Sequence, residues 1–155
     1  MEHALDITLT VNGTVVRKRV EARAHLVDFL REELGLTGSH LGCEQGACGA
    51  CTVRVDGAIV RGCLMLAVQA NGCKVETVEG LSDSKELAKL QKAFHERNAL
   101  QCGFCTPGML LAAQDLVLSG KKPTREEIRN HISGNYCRCT GYQAIVDAIN
   151  EVVNG

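Results

Sequence analysis

The sequence has 155 residues, a formal net charge of −1 at pH 7 and 45% hydrophobic residues, a size that suits one compact domain or two small ones. Neither half has the clustered Lys and Arg that would meet phosphates, which argues against nucleic-acid binding and against a polybasic membrane patch. No apolar run reaches the roughly 18 residues that span a bilayer, and the N-terminus lacks the basic start and apolar stretch of a signal peptide. We therefore expect a cytoplasmic protein, without membrane insertion, whose partners are proteins.

The first segment predicts a hairpin followed by a helix. Apolar residues alternate with polar ones over residues 5–11, the pair Asn12-Gly13 is typical of a type I′ turn, and residues 16–20 continue as a returning strand. Apolar residues then recur at helical spacing over residues 25–34, and Gly35 stands where that helix would end.

The next segments predict the rest of a small mixed sheet. Residues 52–55 and 58–60 flank the turn pair Asp56-Gly57, which predicts a second hairpin. Residues 74–78 read as a last strand, and a junction follows near residues 78–84. We expect these strands to form one sheet that packs against the single helix.

The second half predicts four short helices, each with a recognisable start. These starts are Asp83 with Glu86, Thr106-Pro107 with Gly120 as the stop, Thr124 with Glu127, and Thr140. Short helices with brief connections favour a small four-helix bundle. We therefore predict an α+β protein with one domain over residues 1–80 and an all-α domain over residues 81–155.

Eight of the nine cysteines fall into two groups of four, which we call the first and the second cysteine set. The first set is Cys43, Cys48, Cys51 and Cys63, and the second set is Cys102, Cys105, Cys137 and Cys139. The first set begins with the C-x4-C-x2-C run of plant-type ferredoxins, in which cysteine thiolates hold a 2Fe-2S cluster. An odd number of cysteines and the missing signal peptide favour metal thiolates over disulfides.

Zinc is the alternative at both sets, since four thiolates also suit a tetrahedral zinc ion. The spacing of the first set is not a usual zinc arrangement, and we predict a 2Fe-2S cluster there. The second set, C-x2-C-x31-C-x-C, matches neither signature, so its spacing leaves zinc open. Its cysteine pairs precede predicted helix N-termini, where the helix dipole would stabilise thiolates and a reduced cluster.

Three longer motifs resemble a known family. They are Gly42-Cys-Glu-Gln-Gly-Ala-Cys-Gly-Ala-Cys-Thr52, Leu100-Gln-Cys-Gly-Phe-Cys-Thr-Pro-Gly-Met109 and Gly134-Asn-Tyr-Cys-Arg-Cys-Thr-Gly-Tyr142. The chain resembles, over nearly its whole length, the iron-sulfur small subunit of xanthine oxidase family molybdenum hydroxylases. This resemblance implies an N-terminal β-grasp, ferredoxin-like domain and a C-terminal four-helix domain, each with one 2Fe-2S cluster.

The resemblance also implies a function. Separate chains of such enzymes carry molybdopterin and FAD, so a large molybdopterin-binding subunit and a medium FAD-binding subunit are the implied partners, in a heterotrimer or its dimer. Electrons would pass one at a time from molybdenum through the second cysteine set, then the first set, to flavin. In the family, the residues at Gln101 and Cys139 approach the pterin of the molybdenum cofactor.

No catalytic residue is predicted on this chain, because it has no dinucleotide-binding glycine motif, no P-loop and no H-E-x-x-H. Hydroxylation of an aldehyde, an N-heteroaromatic compound or a similar small molecule would therefore take place on a partner. Two other classes stay open: a stand-alone ferredoxin or iron-sulfur sensor, and a zinc-stabilised interaction module.

Overall fold

The computed structural model describes residues 3–82 and 84–155. Five strands form one mixed sheet in the order β2-β1-β5-β3-β4. Strand β1 is antiparallel to β2 and parallel to β5, while β3 is antiparallel to both β4 and β5. The strands are β1 (Ala4–Val11), β2 (Thr14–Glu21), β3 (Thr52–Val55), β4 (Ala58–Arg61) and β5 (Lys74–Glu76).

Both predicted hairpins are confirmed, and their turns have positive φ at both central residues. Asn12 and Gly13 have φ of 48° and 82°, and Asp56 and Gly57 have φ of 48° and 86°. These values are those of a type I′ turn, which matches the twist of the flanking strands. Strand β5 is shorter than predicted, because the backbone N–H of Thr77 donates to Asn12 Oδ1 at 2.9 Å instead of extending the sheet.

One helical segment packs on the sheet, as predicted for residues 25–34. It consists of helix α1 (Leu26–Asp28) and a π-helical turn (Phe29–Glu33). The Leu34 N–H donates to the Phe29 carbonyl at 3.3 Å, and His25 caps the start by accepting from the Asp28 N–H. This segment encloses the core of the first half, whose largest buried side chains include Leu9, Leu26, Phe29 and Leu30.

The second half is helical and has a hydrophobic core of its own. Its helices are α2 (Val78–Leu81), α3 (Lys85–Glu96), α4 (Thr106–Leu118), α5 (Arg125–His131) and α6 (Gln143–Asn154). Phe94, Met109, Leu111 and Ile145 are among the fully buried residues between α3, α4 and α6. In the part of the chain that the structure describes, no helix is both long and apolar enough to cross a bilayer.

The predicted helix starts have different outcomes. The capping box of Thr124 with Glu127 is confirmed. Thr106 does not cap α4: it is the first helical residue, after Cys105. Helix α6 begins at Gln143 rather than directly after Thr140.

The prediction that Asp83 caps a helix falls on a residue outside the described range. Helix α3 begins after Ser84, whose side chain accepts a hydrogen bond from the Leu87 N–H. The division into domains at residues 80 and 81 stays a prediction.

Candidate metal centre

The first cysteine set begins in a loop that directs backbone N–H groups at sulfur. Cys43 Sγ accepts from the N–H of Cys48 at 3.3 Å and from the N–H of Gln45 at 3.4 Å. The loop turns this tightly because Glu44 and Gly46 have positive φ. The N–H groups of Cys48 and then Gln45 lower the pKa of the Cys43 thiol to about 7, because they stabilise its thiolate.

The other two members of the first set lie beside the β3–β4 hairpin. Cys51 directly precedes β3 and Cys63 follows β4, and both are buried. Burial raises the pKa of the Cys51 thiol to about 11, and the Cys63 thiol lies within hydrogen-bonding range of it. The first set is thus arranged as two pairs, Cys43 with Cys48 and Cys51 with Cys63.

The second cysteine set has one exposed pair and one partly buried pair. Cys102 and Cys139 are exposed, with their sulfur atoms 3.5 Å apart. The thiols of Cys105 and Cys137 are hydrogen-bonded, and burial raises the pKa of Cys105 to about 12. Residues far apart in sequence, at the start of α4 and before α6, therefore meet at this site.

Thr140 and Tyr142 support Cys137. Burial raises the pKa of Cys137, but hydrogen bonds from the Thr140 hydroxyl and from nearby backbone N–H groups lower it overall. The Thr140 hydroxyl lies 3.1 Å from Cys137 Sγ, and the Tyr142 hydroxyl accepts from the Cys137 N–H at 2.8 Å. Sequence reasoning placed Thr140 before a helix and gave Tyr142 no role of its own.

The donor sets fit two-iron clusters. A 2Fe-2S cluster takes four cysteines, two on each iron, and both sets are divided into two pairs of thiols. Within residues 3–82 and 84–155, no three His, Cys, Asp or Glu side chains converge as ligands of one ion. None of the nine cysteines, all of which lie within the described residues, forms a disulfide, and Cys73, half-buried, lies in neither set.

Gln101 and Cys139, the predicted pterin contacts, lie together. Gln101 Nε2 donates to the Cys139 carbonyl at 3.1 Å, and both residues are exposed. A partner chain can therefore reach the Gln101 amide oxygen and the Cys139 side chain.

The two cysteine sets are connected through the backbone. The N–H of Tyr136 donates to the Cys48 carbonyl at 2.8 Å, and Tyr136 directly precedes Cys137. We call this hydrogen bond the inter-set bridge. Nearby, the His40 ring stacks on Phe104 with ring centroids 4.6 Å apart, and His40 Nδ1 lies 2.7 Å from the Phe104 carbonyl.

A group of buried or partly buried polar residues surrounds this bridge. Asn135 Nδ2 donates to the Gly49 carbonyl at 3.1 Å and lies 3.3 Å from Thr52 Oγ1. Arg61 donates through Nη1 to Thr52 Oγ1 and through Nη2 to the Gly134 carbonyl at 2.7 Å. We call Gly49, Thr52, Arg61 and Asn135 the junction clamp; sequence reasoning assigned no role to its side chains.

These features define the class of protein: a chain with two 2Fe-2S-binding domains. Residues 9–71 match the family described as "2Fe-2S iron-sulfur cluster binding domain", and residues 77–150 match the "[2Fe-2S] binding domain" family.

Two curated relatives and one solved structure are similar over nearly their full length. The caffeine dehydrogenase subunit gamma of Pseudomonas sp. (strain CBB1) is 54% identical, over 94% of this chain and 89% of the relative. The nicotine 6-hydroxylase small subunit of Paenarthrobacter nicotinovorans is 52% identical, over 94% of this chain and 87% of the relative. The crystal structure of quinoline 2-oxidoreductase from Pseudomonas putida 86 superposes with a TM-score of 0.92, at 52% identity, over 98% of this chain and 95% of that chain.

The chain belongs to the iron-sulfur small subunits of xanthine oxidase family molybdenum hydroxylases. It is the iron-sulfur, non-catalytic subunit of an oxidoreductase, as the sequence predicted. The assignment of individual cysteines as ligands stays a prediction that the pairing of thiols supports.

Proposed function

We propose that this chain relays single electrons between a molybdenum-pterin site on a large partner chain and FAD on a medium partner chain. The observation that carries the proposal is the connection of two cysteine sets by the inter-set bridge, with partly or fully exposed thiols in each set. When bound, a 2Fe-2S cluster supplies one-electron redox chemistry. The residues of this chain hold the two sites, connect them and direct N–H groups at their sulfur atoms.

The proposed ligands are the eight cysteines of the two sets. The proposed domains are a β-grasp domain over residues 1–80 and a four-helix bundle over residues 81–155. The two separate hydrophobic cores support that division.

Gln101 and Cys139 are the proposed contacts with the pterin. The exposure of both residues supports this role, as does the hydrogen bond that fixes the Gln101 side chain beside Cys139. An amide side chain can donate to and accept from a polar ring.

The proposed substrate of the complex is a small N-heteroaromatic compound or an aldehyde, hydroxylated on the molybdenum chain. The names of the similar proteins refer to caffeine, nicotine and quinoline, each of which contains a nitrogen heteroaromatic ring. We propose a heterotrimer or its dimer as the assembly. Nine cysteines without a disulfide suit a reducing compartment, so the cytoplasm stays the predicted location.

The first test is purification of the chain, tagged at its C-terminus, from its native host without air. A large molybdenum-containing chain and a flavin-containing chain should accompany it. A brown protein that carries iron and emerges alone under mild extraction would favour the stand-alone ferredoxin.

The second test is rapid-freeze EPR of the assembled enzyme with substrate as the electron donor. Our order of electron transfer predicts that the EPR signal of the reduced cluster at the second cysteine set rises before that of the cluster at the first set. The reverse order would contradict it. In the Gln101→Leu variant, unchanged molybdenum retention together with unchanged electron transfer would remove the proposed role of Gln101.

A further inference from the structure

The junction clamp holds both ends of the inter-set bridge through hydrogen bonds to oxygen acceptors. In the inter-set bridge, Tyr136 is the donor and Cys48 is the acceptor. Asn135 directly precedes Tyr136, and its side chain donates to the carbonyl of Gly49, which directly follows Cys48. Asn135 is only 3% exposed. A buried amide with its hydrogen bonds made has one favoured orientation, so the two backbone segments are held in register.

Arg61 reinforces the same register from the other side. It is the cross-strand partner of Thr52 and lies two residues before Cys63, yet its guanidinium crosses to the Gly134 carbonyl in the helical half. Its two terminal nitrogen atoms, Nη1 and Nη2, donate to groups on opposite sides of the junction, Thr52 and Gly134. The planar fork of an arginine can make both bonds at once, whereas a lysine has one compact ammonium group.

The clamp lies close to the ligands of both sites. Its members Gly49, Thr52 and Arg61 are within two residues of Cys48, Cys51 and Cys63 respectively, and Asn135 is two residues before Cys137. A shift of the helical half along the hairpin would therefore change the separation of the two cysteine sets.

We propose that Asn135 and Arg61 are positioning residues for electron transfer between the two cysteine sets, acting by keeping the inter-set bridge closed. The proposal rests on the relay function. With a cluster held in each set, one electron would pass from the cluster of the second set to that of the first, so that one cluster would lose one electron and the other would gain one. No bond is made or broken and no proton has to cross the junction.

The test uses the assembled enzyme with Asn135→Leu and with Arg61→Lys, which keeps the positive charge but loses the fork. The matched control is Gln114→Met. Gln114 Oε1 accepts from Arg54 Nη1 at 3.0 Å, so this bond also joins the two halves, from β3 to α4. The other side-chain hydrogen bond of Gln114 goes to Ser84 Oγ at 3.2 Å and not to the junction clamp. The control therefore distinguishes a general loss of contact between the two halves of the chain from a specific loss of the inter-set bridge.

Three readouts are compared in each variant. The first is the iron content with the separate EPR signals of the two sites, and the second is hydrogen exchange of the Tyr136 amide, which reports local opening of the bridge. The third is the rate of transfer between the sites together with the spin–spin splitting of the fully reduced protein.

In Asn135→Leu and Arg61→Lys we expect retained iron, faster exchange of the Tyr136 amide and a changed spin–spin splitting. Electron transfer between the sites should be slower by about tenfold, which is the lower end of the loss typical for a residue that supports metal ligands. Gln114→Met should lower the stability of the chain, because the buried Arg54 loses this partner, but it should leave the Tyr136 exchange, the splitting and the transfer rate at their wild-type values. Unchanged transfer despite a faster-exchanging Tyr136 amide would overturn the proposal, as would an equal loss in Gln114→Met.

If Asn135→Leu does not retain iron, Arg61→Lys is the variant that tests whether the junction clamp positions the two sites for electron transfer. A wild-type chain without iron in both sites would instead overturn the relay function itself.

Discussion

The substitution Gly49→Ala should destabilise the chain far more than alanine at another glycine of positive φ. Gly49 has φ of +75°, and a Cβ atom there would lie 2.6 Å from both the Gly134 carbonyl oxygen and Asn135 Nδ2. A carbonyl oxygen of the backbone cannot rotate away, so the helical half would have to move. Gly57→Ala is the matched control, because Gly57 has φ of +86° and nothing within 4 Å of its Cβ position.

The expected difference follows from two separate costs. A left-handed conformation costs an alanine about 1–2 kcal/mol, which both variants lose. Overpacking at Gly49 adds about 1–3 kcal/mol more. For a protein of this size each kcal/mol lowers the melting temperature by about 2–4 °C.

The assay is thermal unfolding followed by circular dichroism, with the visible absorbance of the iron-sulfur protein recorded in parallel. Gly49→Ala should melt at a lower temperature than Gly57→Ala and lose its absorbance sooner. Equal melting temperatures for the two variants would refute the close approach of Gly49 to the helical half.

Three further predictions concern other residues. Thr124→Ala, which deletes the hydroxyl of the capping box, should lower the free energy of unfolding by about 1 kcal/mol in chemical denaturation, and an unchanged midpoint would count against that cap. In the metal-free chain, the alkylation of Cys43, measured by peptide mass spectrometry, should rise as the pH increases through about 7, because the thiolate is the reactive form. Cys51, with a pKa of about 11, should stay unmodified at neutral pH. Equal modification of both cysteines would contradict the stabilisation of the Cys43 thiolate by backbone N–H groups. Tyr142→Phe leaves the partly buried Cys137 N–H without its acceptor at a cost of about 1–3 kcal/mol, so EPR should show a change at the second cysteine set and none at the first.

Local sequence patterns predicted the elements of this fold well. Asn12-Gly13 and Asp56-Gly57 gave both hairpins, because a type I′ turn needs residues that tolerate positive φ. Apolar spacing located the helices, because it reflects which face is buried.

Residues whose roles depend on distant partners could not be predicted in the same way. Thr106 and Thr140 have the residue type of helix caps, yet Thr106 is itself the first residue of α4 and the Thr140 hydroxyl donates to Cys137 Sγ. Asn135 and Arg61 are polar residues without a local pattern, and their partners are up to 86 residues away in sequence. Only the longer motif that contains Asn135 and Tyr142, through its resemblance to a known family, indicated that this segment contributes to function.

Metal analysis of the chain, purified without air and combined with EPR, tests the central claim most directly. Two 2Fe-2S-binding domains predict two iron atoms for each domain, an equal amount of acid-labile sulfide and two distinct EPR signals after reduction. The variants Cys48→Ser and Cys102→Ser should each remove one signal and leave the other. Zinc in place of iron at either cysteine set, or a single signal in the wild type, would contradict the account.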